Sequence, residues 1–480
     1  MNRVLSYRGI AGASLGFLLL VVYAMLNEQW LILAMPFVLG VVLFAFFKPK
    51  YLLFAIVAIT PFSINLEDLG LGESAMYLPT EPLLFGLTIL LVLAHLKDHV
   101  FPKEIMRHPV SIALYFYLGW MLVTSLTSTD VVVSIKYFIS RLWFVIPLYF
   151  GGATLFLRRR NAQHFVLLYL FTFLAVVTFT LIKHAAMGFE EDPAHSVMDP
   201  FYRDHTQYGA VVAFFIPITF GLLVQTNRSI QWRFFSFLAL LILSIALVYT
   251  YARAAWLSVF LVAGIVLLVK LRIRLWMLIA GGLSIFVLFL FTFDDIIIQL
   301  QKNKTDSSEN LLENVESITN ITTDASNLER INRWNSVLAM AQERPLFGFG
   351  PGTYAFEYAP YQQSKDLTII STNFGDVGNA HSEYLGPLAE SGFPGFLSVI
   401  YLVITLFYVS YRAYHRLREG RSRQMLLYAA LALVTYFAHG TLNNYLDSDK
   451  ASVPVFGVMA IIVALDVLSK KSRSQNIEEA

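Results

Sequence analysis

The sequence predicts an all-α polytopic membrane protein, with about 12–14 transmembrane helices and one large helical loop on the outer side. Three observations carry that prediction. Of the 480 residues, 57% are hydrophobic and 14% charged, and the mean hydropathy is +0.61; soluble chains carry about 25% charged residues. Apolar runs close to the bilayer-spanning length of about 20 residues recur along the chain. Lys and Arg concentrate in alternate connecting segments, as membrane topology requires.

Taken in order, the apolar runs are 9–26, 30–47, 51–64, 82–96, 109–127, 142–157, 164–182, 207–224, 234–250, 254–269, 275–293, 393–411, 425–440 and 453–468. The first is long and leads into a second, so it reads as a retained span rather than a cleaved signal. With the N-terminus inside, the inside segments hold Arg3 and Arg8, Lys48 and Lys50, Lys97 to Arg107, Arg158 to Arg160, Arg228 and Arg233, Lys270 to Arg274, Arg412 to Arg423, and Lys470 to Arg473. The outside segments are then 65–81, 128–141, 183–206, 251–253, 294–392 and 441–452. This divides the chain into a bundle of about 11 spans over 1–293, an outer cap over 294–392, and about three spans with an inward tail over 393–480.

The cap opens with the amphipathic "DDIIIQLQKN". A polar stretch over 304–326 follows, with the composition of a mobile segment. In "SNLERINRWNSVLAMAQERP", Leu328, Ile331, Trp334, Val337, Leu338 and Ala341 recur at helical spacing. Ser326 or Asn327 supplies an N-cap and Pro345 ends the helix. A glycine-rich turn, "LFGFGPGTY", and a second polar loop lead to His381.

The cations that topology disfavours are the informative ones. Arg253 stands between two spans with almost no loop; it either snorkels to lipid phosphates or faces a cavity and binds an anion. Arg330 and Arg333 lie three apart on the cap helix. His381 has an acidic neighbour in Glu383 and a hydroxyl in Tyr384, and an imidazole that titrates near neutrality suits a general base. Arg141 and Lys183 at outer span ends, and Arg203 and His205 in an outer loop, form a second basic set expected to line the same cavity. A net charge of +2 gives no footing for nucleic acid, and the absence of cysteine excludes disulfides and thiolate metal sites. No HExxH occurs and His184, His195 and His205 are scattered, so no metal site is expected.

Taken together, these pieces resemble one family. Arg330 followed by Trp334, then Pro345 to Tyr354, then "AHSEYLGPLAESGFPG" from Ala380 to Gly395 entering a span, is similar to the O-antigen ligase and polymerase superfamily. "YARAAWL" around Arg253 resembles the family's arginine element at the start of a span, and "DPFYRDHTQYGA", 199–210, an outer segment of related members. The resemblance covers roughly residues 199–411; Ser382 and Glu383 depart from the asparagine-containing pair more usual after the histidine.

The resemblance implies a metal-independent glycosyltransferase, without cofactor, in the bacterial inner membrane. It would take a glycan from a polyprenyl pyrophosphate carrier to a glycan or lipid-core acceptor at the periplasmic face. It implies that Arg253 and Arg330 stabilise the pyrophosphate and that His381 is the base, with Arg333 competing for the role of Arg330. A leaving pyrophosphate beside the membrane needs such cations, because guanidinium groups offer charge-assisted, bidentate hydrogen bonds. A polysaccharide polymerase and a protein O-oligosaccharyltransferase remain open within the class. A transporter is the rival outside it, for which inverted repeats and broken mid-span helices would be the sign.

Overall fold

The computed structural model describes residues 7–26, 40, 43–70, 76–225, 228–271, 281, 284, 325–364, 367, 371 and 378–478. Most of the predicted spans 275–293 and 30–47, the amphipathic opening of the cap and the polar stretch up to residue 324 lie outside the described residues. The rest is all-α with one two-residue hairpin, Ile64–Asn65 (β1) against Tyr77–Leu78 (β2).

The helices longer than ten residues are α1 Tyr7–Leu26, α2 Pro49–Ile59, α3 Thr80–Asp98, α4 Pro109–Leu126, α5 Val131–Phe156, α6 Arg159–Ala185, α7 His205–Leu223, α8 Ile230–Tyr249, α9 Arg253–Lys270, α10 Ala325–Glu343, α11 Leu385–Arg416, α12 Arg421–His439 and α13 Asp449–Glu478. Among the described residues, eight are long and apolar enough to cross a membrane: α3 to α8, α11, and α13 over Asp449–Lys470. The membrane stretch of α13 is 94% buried. It is the central post of the bundle, which explains why its sequence is apolar all round rather than on one stripe.

One span starts earlier than the sequence predicts. Residues 128–141 read as an outside segment because Lys136 and Arg141 interrupt the apolar pattern. They are helical from Val131, where Asp130 accepts the backbone N–H groups of Val132 and Val133, both at 3.0 Å. Arg141 is tolerated there because its charge is satisfied internally. Its Nη2 donates to Asp447 Oδ1 at 2.7 Å and to Tyr137 Oη at 2.9 Å, and its Nη1 to Leu446 O at 2.7 Å. Pro147, which lacks a backbone N–H, lies in the π-helical turn Val145–Gly151 of the same span.

α11 is broken near its start. Gly392 has φ +67, and a Cβ there would fall 2.3 Å from Leu346 O. The cap fills the gap: Phe349 N–H donates to Ala389 O at 3.0 Å, Gly350 N–H to Glu390 O at 2.8 Å, and Phe393 N–H to Pro345 O at 2.7 Å. The glycine-rich turn thus serves the carbonyls and amide that the broken helix leaves unpaired.

The loops predicted to lie outside gather at one end of the bundle. Lys450 Nζ donates to Thr60 O and Ser63 O, both at 2.7 Å, and to Pro61 O at 3.2 Å. Asp449 Oδ2 accepts the hydroxyls of Ser63, at 2.6 Å, and Thr80. Arg203 pairs with Glu67 and Asp68, and Thr129 N–H donates to Phe349 O at 2.8 Å. At the opposite end, Asp466 collects His108, Arg416 and Lys470.

Candidate functional site

Arg253 owes its position to a tight turn between α8 and α9. Tyr251 takes a left-handed backbone (φ 51), and Ala252 N–H donates to Thr250 Oγ1 at 3.2 Å. Ala252 and Ala255 pack on Ala213 of α7, so the turn sits close against that helix. Arg253 heads α9 half-buried, within electrostatic range of Arg330 and Glu191.

α10 forms as its apolar spacing predicts. Val337 and Met340 bury against Phe349, Tyr354, Tyr358, Ala380 and Ala389, a small core separate from that of the bundle. The two arginines of this helix then diverge. Arg333 is 5% exposed; its Nε donates to Glu329 Oε1 at 2.8 Å and its Nη1 to Asn379 O at 3.2 Å, and its guanidinium lies 4.8 Å from the Tyr358 ring. Arg330 is half-buried and its Nε donates to Leu442 O, 3.3 Å away, in the turn between α12 and α13.

His381 ends a short turn that Arg333 holds. Gly378 has φ +146, and any Cβ there would collide with the Arg333 guanidinium at 1.6 Å. Asn379 Oδ1 accepts the backbone N–H of His381, itself left-handed at φ 47. Ser382 Oγ then accepts the N–H groups of Tyr384 and Leu385, each at 3.3 Å, and so caps α11. Burial, with the charges of Arg330 and Arg333, pushes His381 down to about 4; Asp204 and a side-chain hydrogen bond with Asn443 oppose this.

His205, the first residue of α7, belongs to the same neighbourhood. Its ring lies 4.3 Å from that of His195, and Arg330 and Arg253 both act on it electrostatically. Asp204, the N-cap of α7, accepts Thr206 N–H at 2.8 Å and the Tyr445 hydroxyl at 3.2 Å, and its charge reaches His381 and Arg330. The structure therefore brings together Arg253, Arg330, His381 and His205, from four segments distant in sequence.

The other residues of the sequence-predicted set are held elsewhere. Glu383 and Tyr384 turn away from His381 toward α12. Glu383 Oε1 accepts the Tyr436 hydroxyl at 2.5 Å and the N–H groups of Tyr445 and Leu446 at 2.8 and 3.0 Å, and Tyr384 Oη donates to Phe437 O at 3.0 Å. Burial pushes the Glu383 carboxyl up. Arg203 is clamped by two carboxylates, Arg141 is locked to Asp447, and half-buried Lys183 donates to Asp199 O at 3.4 Å. Arg141 and Arg203 thereby tie loops together.

Sequence reasoning missed Asp204, Asn443 and His439. Asp204 reads only as a helix cap, and His439 falls inside a predicted span. His439 is 1% exposed, its ring lies 5.7 Å from that of Tyr445, neither ring nitrogen has a hydrogen-bond partner among the described residues, and Arg330 and Asp204 act on it. A cleft of about 300 Å³, lined by Tyr117, Trp120, Tyr137 and Glu390, lies between α4, α5 and α11 and does not include the cluster. Among the described residues no group of three or more His, Asp or Glu side chains is placed to hold a metal ion.

The helices and the cluster define a multi-pass α-helical membrane protein that gathers arginine and histidine at the loop-rich end of its bundle. Residues 238–400 match the model of the family described as O-Antigen ligase. The match contains Arg253, Arg330, Arg333 and His381, together with Glu383 and Tyr384. Over 348 residues the chain is also 22% identical to an uncharacterized protein of Haemophilus influenzae, an alignment covering 68% of this chain and 78% of that one.

Proposed function

We propose that the protein is a glycosyltransferase of the O-antigen ligase type. It moves a glycan from a polyprenyl pyrophosphate carrier to a lipid-core acceptor at the periplasmic face of the inner membrane. The observation that carries this reading is the meeting of Arg253, Arg330 and His381 at one end of the bundle. The acceptor hydroxyl oxygen attacks the anomeric carbon, and the bond from that carbon to the phosphate oxygen breaks. The electron pair leaves on the pyrophosphate, whose growing charge Arg253 and Arg330 stabilise. His381, kept neutral by burial and by its cationic neighbours, takes the hydroxyl proton.

The test is transfer from a defined polyprenyl-linked glycan by the purified full-length protein in detergent, with EDTA present. Lipid core, a peptide and free glycan are offered in parallel as acceptors. Product on the lipid core alone is expected. Chain extension would assign a polymerase and product on the peptide a protein glycosyltransferase. Loss of transfer in EDTA, restored by Mg²⁺, would overturn the account in which arginine alone stabilises the leaving group.

A further inference from the structure

The turn between α12 and α13 is fastened to the site from two sides. Arg330 Nε donates to Leu442 O at 3.3 Å, and the N–H of Glu383, two residues after His381, donates to Gly440 O at 2.8 Å. Glu383 Oε1 accepts the N–H groups of Tyr445 and Leu446, and the Tyr445 hydroxyl donates to Asp204 Oδ2 at 3.2 Å. Within this fixed turn, Nδ1 and Nε2 of His439, Nδ2 of Asn443 and Oδ1 of Asn444 are buried and have no hydrogen-bond partner among the described residues. His439 is 1% exposed and Asn443 3%. A buried polar atom left unpaired forfeits the hydrogen bonds that water gave it, and folded proteins keep few such atoms. Four within six residues, held in place beside Arg330 and the segment that carries His381, mark a place built for a partner.

The chemistry of the four atoms selects that partner. Asn443 Nδ2 can only donate, Asn444 Oδ1 can only accept, and a neutral imidazole does one of each. An anion has no proton for Asn444 Oδ1. A metal ion or an ammonium group has no lone pair for Asn443 Nδ2, and Arg330 repels it. A hydroxyl both donates and accepts, so two neighbouring hydroxyls supply two donors and two acceptors. Adjacent hydroxyls are what a sugar ring offers. We propose that His439, Asn443 and Asn444 bind an adjacent hydroxyl pair of the acceptor sugar, next to the hydroxyl that attacks. This rests on the glycosyl-transfer reading and gives it an acceptor subsite. The acceptor is preferred to the donor because Asn443 hydrogen-bonds the His381 side chain, and the base meets the acceptor's hydroxyl. Seclusion from solvent keeps water from taking the acceptor's place.

The experiment compares wild type with His439→Phe and Asn444→Leu, each as the purified full chain in detergent, in transfer from a defined polyprenyl-linked glycan. The acceptors are lipid core and analogues of it that lack either hydroxyl neighbouring the attacking one. One deoxy analogue should cost wild type about 10–100-fold in kcat/KM. Each variant should raise the KM for intact lipid core about tenfold, leave the donor KM unchanged, and no longer discriminate against that analogue. Neither variant should unfold below the wild-type temperature, because each removes unpaired buried polar atoms. A lower unfolding temperature with an unchanged acceptor KM would show atoms paired by buried water and overturn the proposal. A rise in donor KM alone would assign the hydroxyls to the donor and overturn the choice of acceptor. Should His439→Phe fail to fold, Asn444→Leu decides by the same readings. Wild type that transfers to no acceptor would overturn the glycosyl-transfer reading and this subsite with it, whereas active wild type matched by both variants would overturn the subsite alone.

Discussion

Two buried cationic regions sit at the same end of this bundle and are built on opposite terms. Around Lys450 the charge is closed off. The ammonium spends its donors on three backbone carbonyls, lies over the rings of Tyr77 and Tyr202, and has Asp449 beside it. Lys450 and Asp449 are both wholly buried. Around Arg330 like charges are gathered instead, with Arg253 and Arg333 in range and two histidines held among them. The first arrangement locks the loops over 60–80 to the start of α13. The first set holds its charge with fixed backbone and carboxylate partners, and the second brings three guanidinium groups and two histidines into one neighbourhood together with Glu329, Asp204 and Glu191.

The largest effect should come from the site. His381→Ala should lower transfer about 10²–10⁴-fold, as removal of a general base does. The lipid-linked donor should still bind, and thermal unfolding should be unchanged. A variant that transfers at the wild-type rate would remove the base assignment.

The lock should respond in the other currency. Lys450→Met leaves Asp449 buried without its cation, a change that costs roughly 3–5 kcal/mol. Unfolding in detergent should move far down or folded protein should fail to accumulate. Lys450→Met protein that unfolds at the wild-type temperature would show that the lock contributes nothing.

A smaller and sharper contrast lies on α10. Arg330→Lys should raise the donor KM about tenfold, because an ammonium lacks the planar fork, and leave stability alone. Arg333→Lys breaks the tie from Glu329 to the Asn379 turn. It should cost about 1–3 kcal/mol of stability through its buried partners. If the two variants exchange phenotypes, the assignment of Arg330 over Arg333 is reversed.

That contrast also marks where sequence stops informing. Eight of the predicted spans were legible because hydropathy acts residue by residue, and α10 because its stripe has helical period. Arg253, Arg330 and His381 stood out as cations and a histidine where topology disfavours them. What could not be read is pairing at long range. Nothing local in "RLWF" says that Arg141 meets Asp447, 306 residues away. Nothing in "HSEY" says that Glu383 turns its carboxylate to Tyr445 and Leu446. An outside cation reads alike whether its counter-ion is a carboxylate in the fold or a phosphate in the substrate. Asp204 and His439 were hidden for the converse reason, since a cap and a span residue have ordinary local explanations.

The subtlest effect is on pH. A histidine ordinarily titrates near 6.5, and burial with two guanidinium neighbours takes His381 to about 4. The folded protein therefore binds fewer protons here than the unfolded chain between those values. This group's contribution to stability is complete above about 6.5 and is lost as pH falls toward 4. The same displacement keeps the base competent in mild acid, so the acid limb of kcat/KM, which reports the free enzyme, should fall near pH 4. In the donor complex the pyrophosphate offsets the arginine charge, so the limb of kcat should lie higher. Arg330→Gln removes the larger of the two guanidinium contributions and should move the free-enzyme value up toward 6.5. That is best read from the pH dependence of diethyl pyrocarbonate modification at His381, followed by peptide mass spectrometry, because only neutral imidazole reacts. A wild-type modification midpoint at the ordinary value, or one that Arg330→Gln leaves in place, would mean that Arg330 does not govern His381. The two residues would then serve different steps.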